Sequence, residues 1–181
     1  MNNSSLLGSA SDGAVVTSSF DLANTTARAT GARSAWRTVL LAGCAAGAID
    51  LLFAFAFFGW QLHISPMRVM QSIATGLYGA ASFEGGATTA AVGVVAHFFI
   101  LTVAAWGYYL ASQRLPLNRR PILFGVLYGI AIYVAMTFVI VPLSATPARS
   151  LTLSIVSVGQ FLIHPVIGIA IAQIVRRRAT N

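Results

Sequence analysis

Charge is what this sequence has least of. Only 8% of its 181 residues are Asp, Glu, Lys or Arg, and 57% are hydrophobic; soluble domains carry about 25% charged residues. That balance excludes an ordinary water-facing globular surface. Cysteine is nearly absent too. Cys44 stands alone, which excludes an intrachain disulfide and a thiolate metal centre, and within an apolar run it is expected to pack as a small hydrophobe. All 11 basic residues are arginines. No nucleotide-binding loop, nucleophile elbow or zincin motif is present, and no carboxylate pair or Ser–His spacing suggests hydrolytic or lipid-modifying chemistry. The chain is not expected to be an enzyme.

What is present is length without charge. Four apolar runs, about 38–60, 87–112, 121–143 and 151–175, each reach the ~20 residues a helix needs to cross hydrocarbon while satisfying its own backbone. The expected fold is an all-α integral membrane protein, a bundle of four transmembrane helices occupying one domain over residues 35–178. Arginine distribution orients it. Nine arginines flank spans 1, 4 and the 2–3 connection, among them Arg114, Arg119, Arg120, Arg176, Arg177 and Arg178, and only Arg68 and Arg149 fall in the other two loops. The positive-inside rule then puts both termini in the cytoplasm. Because these charges gather at span ends and form no single face, nucleic acid is not an expected partner. The expected partners are the bilayer, a second copy of the chain, or another membrane protein. Span 1 exceeds the 7–15 apolar residues of a signal-peptide core and runs into Phe57, Phe58 and Trp60, so it is expected to be retained.

Residues 1–34 are rich in Ser, Thr, Asn, Gly and Ala with no sustained apolar period, and a disordered cytoplasmic tail is expected there. Between spans 1 and 2, Ser65 and Pro66 make a helix start. Met67, Met70, Ile73, Ala74, Leu77, Tyr78 and Ala81 then recur at helical spacing, with Arg68, Gln71, Ser72 and Thr75 elsewhere. An amphipathic helix over about 65–82, interfacial or shallowly re-entrant, follows. A fifth crossing would move six arginines, Arg114, Arg119, Arg120, Arg176, Arg177 and Arg178, to the wrong side. The tetrads "SPMR" and "TPAR" at 65–68 and 146–149 echo one another; a pseudo-repeat of helical hairpins or simple recurrence of interfacial caps both account for them.

The apolar runs hold a few polar residues. A carboxylate near the centre of a spanning helix costs roughly 2.5–3.5 kcal/mol, and Asp50 lies about 18 Å along the first span. His97 and His164 fall near the middle of spans 2 and 4. Gly43, Gly47 and Asp50 share a face on which another helix can approach closely; Thr89, Gly93 and His97 form a second stripe, and Ser157, Gln160, His164 and Gly168 a third, with Pro165 at its centre. Asp50, His97, His164 and Gln160 are therefore the candidate intramembrane polar site. Asp50 either carries a proton or meets a histidine. Three uses are open: helix–helix tie, proton or ion handling, and a divalent metal or haem site on the two histidines. No cofactor is expected from spacing alone. Glu84, before span 2, is placed for the helix N-terminus or as an outer-mouth residue beside Gly85 and Gly86. Gly125 and Gly129 are expected to pack span 3 inside the bundle, a homodimer face being the alternative. Trp36, Trp60, Tyr108 and Tyr109 suit interfacial belts, and His63 suits the interface.

Three stretches, "AGAID" at 46–50, "QSIATGLYGAASFEGGATTAAVGVVAHF" at 71–98 and "YGIAIYVAMTFVIVPLS" at 128–144, together resemble a group of small four-span bacterial inner-membrane proteins of unknown function. The resemblance implies a bacterial inner membrane and carries no activity with it. The functional expectation is transport or proton/ion permeation at a mid-membrane polar site, with a structural or assembly subunit and a haem-binding redox subunit as alternatives.

Overall fold

The computed structural model describes residues 7–147 and 154–179, with side chains from Arg33 to Arg177 inside those limits. All regular structure among the described residues is helical. Helix α1 (Leu7–Leu62) precedes α2 (Pro66–Tyr78), which ends in a 3-10 turn (Gly79–Phe83). Next come α3 (Gly86–Arg114), a 3-10 turn (Leu117–Arg119), α4 (Pro121–Ala135), a π turn (Met136–Ile140) and one last turn, α5 (Val141–Leu143). The order closes with α6 (Ile155–Ala179). Two compact units divide the chain, Met1–Arg37 and Thr38–Asn181, and the packing below is that of the second.

Four helices are long and apolar enough to cross a membrane: Arg33–Leu62, Gly86–Arg114, Pro121–Leu143 and Ile155–Arg177. They coincide with the four apolar runs, except that residues 151–153 lie outside the described residues. So do Arg149 and residues 1–6 of the expected tail. Residues 7–34 of that stretch have helical backbone continuous with α1. The first proline is Pro66, so no missing donor interrupts the i→i−4 ladder before it.

The main core draws on every long helix. Val39, Ala42 and Ala46 of α1, Leu101, Ala105 and Tyr108 of α3, and Ile163, Ile167, Ile171 and Val175 of α6 are buried together, with Phe124, Tyr128 and Ile132 of α4 packed against them. Small residues set the spacing. A Cβ on Gly125 would lie 2.7 Å from the Ile169 Cα, and one on Gly129 would strike the backbone of His164 and Pro165. The α4–α6 contact is thus backbone on backbone. Tyr108 departs from its expected place in an interfacial belt: it is fully buried, its ring edge-on to Tyr128 at 5.1 Å, because it continues the Leu101–Ala105 stripe of α3. The outer faces are apolar, with Leu52, Val95, Phe99 and Leu162 60–70% exposed.

The third long helix is not uniform. Pro142 has no N–H to give the residue 138 carbonyl, and the helix widens just before it, the Val141 N–H reaching back five residues to the Met136 carbonyl.

α2 is more buried than an amphipathic surface helix. Ser65 caps it by accepting from the Arg68 N–H at 3.4 Å, with Pro66 in the first turn. Its buried face carries Val69, Met70, Gln71, Ala74 and Thr75, while Met67, Leu77 and Tyr78 are 44–63% exposed. The apolar stripe is thus divided, Met70 and Ala74 facing the protein and Met67, Leu77 and Tyr78 its outer surface. Hydrogen bonds explain the inclusion of Gln71 and Thr75. Gln71 donates to the Gly86 carbonyl at 3.1 Å, Ser82 donates to the Gln71 carbonyl at 2.9 Å, and Thr75 shares a bond with Thr146 at 3.1 Å. Val69 and Met70 form a second core with Ala54, flanked by Leu51, Phe58 and Val94. The two tetrads differ here: Ser65 caps a helix, whereas Thr146 turns to α2, and positions 148 and 149 of "TPAR" lie outside the described residues.

Candidate functional site

Asp50 sits on the face of α1 that meets α3. The reason is local. Gly43 has no side chain where the backbone of Thr102 passes, a Cβ there lying 2.6 Å from its Cα, and a Cβ on Gly47 would lie 2.8 Å from the Phe98 ring. With α3 drawn onto that stripe, a residue three positions on from Gly47 must face it as well. Cys44, on the other side, is exposed, so it does not pack inside the bundle.

His97 answers Asp50 from α3. Its Nε2 lies 3.9 Å from Asp50 Oδ2, the side chains being 7% and 20% exposed respectively. The same nitrogen is 3.0 Å from the Gly47 carbonyl. A carbonyl only accepts, so Nε2 carries a proton and Nδ1 is the remaining nitrogen. His97 is thus fixed by the α1 backbone, and its ring meets Phe98 edge-on at 5.5 Å. The carboxylate is less constrained. Among the described residues His97 is the one cationic-capable group within ion-pair distance of it.

The pair is bracketed by apolar side chains. One turn along α1 and α3 in one direction are Ala46 and Leu101, both in the main core. One turn in the other are Ala54, in the second core, and Gly93, against whose Cα the Met70 backbone rests. Sequence reading missed Met70 here. The available signal was Gly93, four residues before His97, since a glycine on a polar stripe marks a backbone approach.

His164 stands further off. Its Nδ1–H donates to the Gln160 carbonyl at 2.6 Å, and its ring packs edge-on against Tyr133 of α4 at 5.3 Å. Both histidines lie within electrostatic reach of Asp50, His97 more strongly. The three stripes therefore converge unequally: Asp50 and His97 meet, while His164 is held toward α4 and Gln160 contributes its backbone.

No family model, curated protein or solved structure matches this chain.

The chemistry must accordingly be read from the side chains. Among the described residues no group of three or more His, Cys, Asp or Glu is placed to hold a metal ion. With His97 Nε2 and His164 Nδ1 on carbonyls, His97 Nδ1 and His164 Nε2 are the nitrogens left to take a proton or a ligand. Glu84 is exposed and about three helical turns from His97 along α3. It precedes Gly85 and Gly86, the latter at φ +57, a left-handed conformation that glycine adopts without strain. His63 is likewise exposed at the end of α1. What remains at the centre is a carboxylate and an imidazole, two groups that can each hold and release one proton.

Proposed function

We propose that this chain is a multi-pass protein of the bacterial inner membrane, with both termini cytoplasmic, and that Asp50 and His97 form a mid-membrane proton- or cation-handling pair serving transport or permeation. One observation carries the reading: the Asp50 carboxylate lies 3.9 Å from a histidine that the Gly47 carbonyl already occupies. A carboxylate used only to tie two helices would be expected to take the donor itself. Left incompletely paired and one-fifth exposed, it retains capacity for a proton or cation. Ala46 and Leu101 on one side and Ala54 and Gly93 on the other bracket the pair along the helices, so passage requires movement of the helices or of α2. The apolar helix faces and the nine-to-two arginine split support insertion and its direction, and the packing of α2 on Ala54 and Gly93, one turn from the pair, supports reading it as an outer interfacial helix. The resemblance to small four-span inner-membrane proteins agrees with this location.

The test is flux. The purified protein, reconstituted into liposomes with an entrapped pH-sensitive dye, is expected to dissipate an imposed proton gradient. Asp50→Asn should reduce the rate to that of empty liposomes while eluting as the parent does. Unchanged flux in Asp50→Asn, or none in the parent, counts against the proposal. The packed cores on both sides of the pair favour a second reading, a structural or assembly subunit, under which the substitution lowers stability or partner recovery instead.

A further inference from the structure

We propose that the groove between the start of α4 and the end of α6 binds the headgroup of an anionic phospholipid. This rests on the membrane reading above. Arg120, Gln173 and Arg176 line the groove together with Ile122, Leu123 and Val126. One turn deeper, Gly125 brings α4 against Gly168 and Ile169, which closes the floor. Ile122 and Leu123 are 59% and 47% exposed, so an apolar wall stands beside the cations. The four acidic residues of the chain are Asp12, Asp21, Asp50 and Glu84, and none belongs to this lining. Each guanidinium carries five donors in a planar fork suited to a phosphodiester, so the site does not require either arginine to be without other contacts. α4 also begins without a side-chain cap, leaving first-turn N–H groups oriented for an anion. Free phosphate would use the cations alone. The exposed apolar wall is complementary to an acyl chain, and a basic pocket between helices on the cytoplasmic side is where anionic lipid is attracted.

The full chain, purified in dodecyl maltoside, is titrated with dioleoyl phosphatidylglycerol, dioleoyl phosphatidylcholine or inorganic phosphate, and bound species are counted by native mass spectrometry. Phosphatidylglycerol is expected to bind in preference to phosphatidylcholine and to resist displacement by phosphate. Arg120→Gln and Arg176→Gln should each weaken it about fivefold, with Arg114→Gln, outside the groove, unchanged. Val126→Trp fills the groove without altering charge and should also lose the lipid, which decides the matter if an arginine variant fails to fold. Equal binding of both lipids, displacement by phosphate, or equal weakening by Arg114→Gln overturns the proposal. Alkaline carbonate extraction separates the two readings: a chain washed from membranes defeats the membrane reading, whereas a retained chain without lipid preference defeats only this one.

Discussion

His97 makes one bond in the structure and has a second task only in the proposed function, and a substitution can separate the two. Its Nε2–H holds the Gly47 carbonyl, and under the proposed function its ring also takes part in proton handling with Asp50. Glutamine retains a donor at similar reach but cannot titrate. His97→Gln is expected to unfold in detergent near the parent temperature and to lose proton flux. His97→Ala should lose the flux and, with it, about 1–3 kcal/mol from the unmade buried bond. Full flux in His97→Gln would reduce the histidine to a brace. The face bearing Asp50 was legible in the sequence because Gly43, Gly47 and Asp50 follow the helical period. Its partner was not. His97 and His164 are equivalent by depth, and only the Phe98 and Thr102 contacts of the two glycines show that α3 is the neighbour.

Between elements, glycine spacing decides what a methyl group does. At Gly129 an added Cβ meets the backbone of α6, whereas at Gly76 its nearest neighbours are Ser144 Cβ and Thr146 Oγ1, both at 3.9 Å. Gly129→Ala should therefore destabilise by about 1–3 kcal/mol through overpacking. Gly76→Ala, inside α2, should stabilise by about 0.5–1 kcal/mol by lowering the entropy lost on folding. Thermal unfolding of the two variants tests the opposite signs. Helix positions were readable from length and hydropathy, but the burial of Gln71 and Thr75 in α2 was not, because periodicity weighs them as polar without knowing that Gly86 and Thr146 will satisfy them. The π turn had a visible cause in Pro142, although a proline near a helix end does not by itself specify a wider turn.

For the whole molecule, the sidedness proposed from arginine counts makes a labelling prediction. On a Cys44→Ser background, single cysteines at His63→Cys and Ala80→Cys should react with an impermeant maleimide added to spheroplasts, and Asn118→Cys should not. Reaction at 63 and 118 but not at 80 would make α2 a crossing; reaction at 118 alone would invert the protein. Overall architecture was legible because bilayer thickness, not tertiary detail, sets the length of an apolar helix. The bond between Thr75 and Thr146 has a further consequence, for synthesis. The two residues are 71 positions apart, and at about 5–20 residues per second a ribosome needs roughly 4–14 s to pass from one to the other. For that interval α2 is held by Gln71 on Gly86 and by the Val69, Met70 and Ala54 packing alone, so its tie to the segment after α5 is made well after the helix itself has been synthesised.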